Sequence, residues 1–179
     1  SVQPIYAQDT VAIYEPQLPI LIERQDNVFM NIRIEANQSK ALQEVRLCFD
    51  KDVNLDEVKS VKLYYSGTEG AGRKGMYFSP NLDYIANRLP GNTLVANPSY
   101  SVLKSQVVSP KHEISLRTNQ KLFSGVNYFW ISVQMKPNAS IRSKVSAEVS
   151  DVILDGSSAP IKKVNKLSAH YLGVGVRHS

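Results

Sequence analysis

Apolar residues recur at every second position through the readable stretches of this chain. Val28, Met30, Ile32 and Ile34 alternate with Phe29, Asn31, Arg33 and Glu35, and Val45, Leu47 and Phe49 alternate with Arg46 and Cys48. Val61, Leu63 and Tyr65 alternate with Lys62 and Tyr64. Phe129, Ile131, Val133 and Met135 alternate with Tyr128, Trp130, Ser132 and Gln134. Successive side chains of a strand point to opposite faces, so a period of two predicts strands with one buried face. Weaker alternation predicts further strands over 10–15, 18–23, 113–118, 145–149 and 151–155. Helical spacing is nowhere sustained. The best short turn is Asn54–Val58, where Asn54 caps and Asp56 and Glu57 sit at the positive end.

Turn chemistry separates the runs. Gly67 to Gly75 is glycine-rich and charged and reads as a long loop leaving the Val61–Tyr65 strand. Pro90-Gly91, Asn97-Pro98, Ser109-Pro110, Pro137-Asn138 and Asp155-Gly156 are further breaks. Roughly nine strands with no helices between them call for two packed antiparallel sheets, because each apolar face must be covered. The fold class is therefore all-β, a two-sheet antiparallel β-sandwich of immunoglobulin-like or jelly-roll-like type. Strand number alone leaves a closed barrel as the alternative.

Length and composition narrow the picture without changing it. With 179 residues, 42% hydrophobic and 21% charged, the chain fits one domain and is unlike a disordered, collagenous or coiled-coil sequence. A formal charge of +5 is spread along the chain, and the only local basic concentrations are Arg73-Lys74 and Lys162-Lys163-Lys166. Nucleic-acid binding needs basic residues on one face interleaved with stacking aromatics, so no nucleic-acid partner is expected. No apolar run approaches the ~18 residues of a membrane-spanning helix. The stretch from 160 onward has four Lys or Arg and no acid, then the apolar positions Leu172, Val174 and Val176. The organisation expected is a sandwich over 1–170, with 171–179 beginning a linker to a further domain.

Candidate chemistry is sparse. Cys48 is the single cysteine and reads as a small buried hydrophobe. His112, His170 and His178 lack ligand spacing and read as surface residues, so no metal or cofactor is expected. Asp50-Lys51-Asp52-Val53-Asn54 opens like a calcium loop, but Leu55 and Val61 stand where that loop needs Gly and Glu. The acid pairs Asp56/Glu57, Asp50/Asp52 and Asp151/Asp155 have no aromatic pocket signal beside them, and read as solvated turn residues. Asn37-Gln38-Ser39 and Asn138-Ala139-Ser140 match the N-x-S pattern and mark surface turns. Trp130 and Tyr128 share the face of their strand opposite the apolar set, and Tyr64 takes the matching face of its own strand. Flat rings there form a candidate glycan platform of Trp130, Tyr128 and Tyr64, with apolar stacking and polar edges. The competing reading is a face closed over by a loop, for which 90–110 is long enough.

Five stretches in order carry a resemblance: LPILIERQDNVFMNIRIEA, VNLDEVKSVKLYYSGTE, LVANPSYSVLKSQVV, QKLFSGVNYFWISVQMKPNASIRSKVSAEV and LGVGVRHS. Together, from about Leu18 to Ser179, they resemble the N-terminal domain of bacterial BNR-repeat sialidases. The resemblance implies an extracytoplasmic exo-α-sialidase (periplasmic, cell-surface or secreted) in which this sandwich precedes a six-bladed β-propeller. Such an enzyme removes terminal sialic acid from glycoproteins, glycolipids and oligosaccharides. It implies that the chemistry belongs to the propeller, with an Arg cluster on the sialic carboxylate, a Tyr nucleophile with a Glu partner, and an acidic acid/base. The F-R-I-P motif and the S-x-D-x-G-x-x-W box of that propeller are absent here. No Tyr or Arg of this chain inherits a catalytic role, and the chain alone is expected to be inactive. The implied partners are the propeller of the same polypeptide and sialylated glycans. Two roles remain open: scaffold of the propeller, or glycan-binding module.

Overall fold

The structure is a computed structural model and describes residues 8–68 and 101–174. Its described elements are nearly all strands. They are β1 (Thr10–Tyr14), β2 (Ile20–Leu21), β3 (Val28–Ala36), β4 (Lys40–Phe49), β5 (Val58–Thr68), β6 (Val102–Val108) and β7 (Glu113–Leu122). They continue with β8 (Gly125–Met135), β9 (Lys144–Val145), β10 (Ala147–Leu154), β11 (Ser157–Ser158), β12 (Ile161–Lys163) and β13 (His170–Gly173). The Asn54 turn forms as a short 3-10 helix, Leu55–Glu57, in which the Asn54 side chain accepts from the Asp56 N–H.

Two sheets face one another. One has six strands in the order β12-β1-β3-β8-β5-β6, and the other has four, β11-β10-β4-β7. A third sheet has three strands, β2-β13-β9. Most pairings are antiparallel, but β1–β12 and β13–β2 are parallel, because late segments of the chain return beside early strands. The inner faces meet as the alternation requires. Ile32, Ile34, Val61, Leu63, Phe129, Ile131 and Val133 pack against Leu42, Val45, Leu47, Leu116, Val149 and Val152, all nearly inaccessible to water.

Bulges and turns depart from the plain alternation. In β3 the register shifts between Val28 and Met30, so Phe29 enters the main core while Val28 joins the aromatic residues on the outer face. One inserted residue reverses which face a side chain takes. β10 runs from Ala147 to Leu154 as one strand where the pattern predicts two, with a register shift between Val149 and Asp151. β5 extends to Thr68, past the glycine expected to begin a loop, because Gly67 at φ +99° accommodates another irregularity. Asp155 and Gly156 both have positive φ, 46° and 81°, which lets a two-residue turn join β10 to β11. The rest of the Gly67–Gly75 segment, Pro90-Gly91, Asn97-Pro98 and His178 lie outside the described residues.

Candidate functional site

The face carrying Tyr64, Tyr128 and Trp130 is the outer face of the six-stranded sheet, as the alternation predicts. Its rings are nevertheless buried. Trp130 is 0%, Tyr128 3% and Tyr64 7% exposed, and with Tyr14 and Val28 they form a second, smaller hydrophobic cluster. Tyr64 and Trp130 stand opposite each other across β5 and β8 and stack at 4.4 Å between centroids, 13° from parallel. The indole Nε1–H donates to Ser101 Oγ at 2.9 Å, and Ser101 Oγ lies 3.1 Å from Ser66 Oγ. Ser101, just before β6, thus caps the indole edge. The Tyr64 hydroxyl donates to Asp26 Oδ1 at 2.8 Å, which also accepts from Ser132 Oγ at 3.0 Å. Burial, then the hydrogen bond and charge of Asp26, push the Tyr64 pKa well above that of an ordinary phenol. No ring face of the three stands open to a sugar here, so the expected platform is corrected to a packed cluster.

A second buried polar group lies against Phe29 of the main core. His170, expected at the surface, is 2% exposed and stacks on Phe29 at 4.4 Å and 16°. Its Nε2 lies 3.0 Å from Glu15 Oε1, and Glu15 is itself 4% exposed. Glu15 Oε2 accepts from the Leu167 N–H at 3.2 Å, while its backbone N–H and C=O are both held by the Asn165 side chain at 2.8 Å. These bonds tie the segment entering β13 to the end of β1. β13 is then the central strand of its sheet, with Leu172 beside Ile20 and His170 beside Val145. At Gly173 a Cβ would come within 3.2 Å of Leu21 Cδ2, so this last described strand packs too closely for an easy side chain.

Two cavities flank β13. One of about 450 Å³ is lined by Leu18, Pro19, Leu167, Ala169, His170 and Tyr171. The other, about 340 Å³, is lined by Asp50, Asp52, Arg142, Lys144, Ser168 and Tyr171, among others. A shallow depression over the outer face of the four-stranded sheet carries Arg46 and Arg117. Both guanidiniums turn to Glu44, at 2.5 Å and 3.5 Å, and the Glu44 hydrogen bond raises the Arg46 pKa.

The remaining sequence candidates take structural roles. Glu57 accepts from the Ser140 N–H and the Ser143 hydroxyl, Asp50 accepts from Ser146, and Asp155 from the Ala41 N–H. Asp151 pairs with Arg46 and accepts from Ser158, while Asp52 lies exposed in a turn and Asp56 in the 3-10 helix. Among the described residues no three His, Cys, Asp or Glu converge as a metal site would need. Cys48 is half-buried on an outer face beside Ser150 rather than in the core, because its neighbours Leu47 and Phe49 take the inner positions. Lys163 and Lys166 pair with Glu148. No helix of the described residues is long and apolar enough to cross a membrane.

The nearly all-β architecture agrees with what comparison finds. A family model described as the N-terminal domain of BNR-repeat neuraminidase matches residues 8–158. A sialidase of Bacteroides fragilis (strain YCH46) is 47% identical over 176 residues, which cover 98% of this chain and 32% of that protein. A solved structure of Hadza microbial sialidase Hz136 superposes with a TM-score of 0.75 at 38% identity, covering 93% of this chain and 32% of that one. The chain thus spans about a third of the length of these relatives. It belongs to the family of N-terminal domains of BNR-repeat neuraminidases.

Proposed function

We propose that this sandwich is the non-catalytic N-terminal module of a longer exo-α-sialidase, and that it supports and orients the β-propeller carrying the chemistry. The observation that carries the reading is the treatment of β13. β13 is held in the middle of its sheet, with the buried His170–Glu15 pair and a ring stack at its first residue, which fixes the direction of the chain as far as Gly173. A following domain then inherits that direction. Support for a non-catalytic role comes from the described carboxylates and guanidiniums that line clefts, most of which are already engaged by partners. The burial of Trp130, Tyr128 and Tyr64 favours support over glycan binding by those rings. On this reading the longer protein acts outside the cytoplasm, where sialylated glycoproteins, glycolipids and oligosaccharides are met.

The test compares three proteins on a fluorogenic sialoside: this chain, the longer polypeptide, and the longer polypeptide lacking residues 8–174. The chain alone should release no product, and the deletion should lower melting temperature and yield. Product formation in proportion to the chain's concentration, or a deletion with unaltered melting and turnover, would contradict the reading.

A further inference from the structure

We propose that the catalytic domain of the same polypeptide seats on the face around β13, over the two cavities that meet at Tyr171 and beside the turn carrying Ile141. This assignment rests on the supporting role just given and names the surface that performs it. Tyr171, Val174 and Ile141 are 60%, 62% and 61% exposed, three of the eight large apolar side chains left exposed among the described residues. They belong to one end of the molecule. Tyr171 pairs with Lys144 in the antiparallel β13–β9 ladder, and continuing that register carries Val174 towards the turn that holds Ile141. Tyr171 lines both cavities, and its ring carries the Lys144 ammonium at 5.3 Å. Arg142 and Lys144 on one side and Asp50 and Asp52 on the other give the rim charges of both signs. Such a rim sets register and excludes wrong partners more than it adds affinity.

The occupant follows from the geometry of the connection. The family model describes an N-terminal domain, and this chain spans 32% of each relative, so in those proteins most of the polypeptide comes after a strand equivalent to β13. β13 is paired on both sides and its end lies within this face, so a domain that follows it is tethered close by. A short tether gives an effective concentration in the ~mM range, which a free glycan or a second copy must outcompete. Phe123, also exposed at 53%, stands just before β8, whereas Ile141 follows the end of that strand. Eleven residues of strand separate the two ends by roughly 35 Å.

Hydroxyl-radical footprinting of the longer polypeptide, read at single residues by mass spectrometry, tests the assignment. Normalised to Phe123, Tyr171 and Ile141 should each label several-fold more slowly in the longer polypeptide than in this chain alone. In the Tyr171→Arg/Ile141→Arg double variant, the catalytic domain should melt earlier, while the melt of this chain alone carrying the same changes stays put. Labelling of Tyr171 and Ile141 that is the same in the two proteins overturns the proposal. If deletion of 8–174 still lowers the melting temperature, only the face has been misassigned; if it does not, the supporting role falls as well. Protection that vanishes on dilution together with a dimer would mean a second copy, and protection only with added sialyllactose would mean a glycan; either result also overturns it.

Discussion

Replacing Trp130 with Ala removes the largest fully buried side chain of the domain. Truncating a buried Trp to Ala costs about 3–5 kcal/mol through lost burial and the cavity left behind. Here the upper half of that range is expected, because the 4.4 Å stack on Tyr64 goes with it. The freed Ser101 hydroxyl retains Ser66 as a partner and adds little. Against a total stability of ~5–15 kcal/mol for a domain, the variant should remain folded but marginal. At ~2–4 °C per kcal/mol for a domain of this size, melting should fall by about 8–20 °C. Trp130→Phe, which keeps a ring but loses the N–H donor, should cost about 1 kcal/mol. Urea unfolding followed by far-UV circular dichroism gives both numbers. Because Trp130 is the chain's single tryptophan, native emission reports this position alone and should be blue-shifted and insensitive to iodide. Red, iodide-quenched native emission, or an Ala variant within ~0.5 kcal/mol of the parent, would refute the reasoning, since such small effects belong to surface positions.

Three further outcomes follow from the packing. The raised Tyr64 pKa means that the phenol's contribution is complete below the unfolded-state value of ~10 and is lost as pH rises through the higher folded value, so the urea midpoint should fall above about pH 10. Tyr64→Phe should flatten that alkaline limb, and equal slopes in the two proteins would count against the assignment. His170→Ala strips Glu15 of its buried partner and Phe29 of its stack, so it should cost about 2–4 kcal/mol by urea titration, and a change under ~1 kcal/mol would contradict it. Gly156→Val forces a β-branched residue to φ +81°, so it should destabilise by at least ~1 kcal/mol although the space around that Cβ is open, and an unchanged midpoint would argue against a strained turn.

The layers of this fold were legible because water sits on one side of most strands. Where burial alternates, as along Val45–Phe49, period two marks both the strand and its inner face; along Phe129–Met135 residue type alternates although both faces are buried. β6 escaped because it is an edge strand with neither face deeply buried, so nothing forces alternation on Val102–Val108. Phe29 escaped because a bulge leaves no trace in hydrophobicity when both neighbours are apolar. Trp130, Tyr128 and Tyr64 were placed on the correct face, but a sequence pattern cannot show that a distant residue, here Ser101, closes over the indole edge. The His170–Glu15 pair is 155 positions apart and exists only because β13 returns beside β2, a parallel pairing that no local signal announces.

The central claim, that the sandwich holds up the domain that follows it, is tested most directly by moving its stability and watching sialidase activity. In the longer polypeptide, Trp130→Ala and the milder Trp130→Phe should lower the temperature at which sialoside cleavage is lost, in the same order as they lower the melting of the sandwich. If the sandwich melts earlier in both variants while the inactivation temperature does not move, the two parts are uncoupled and the account is wrong.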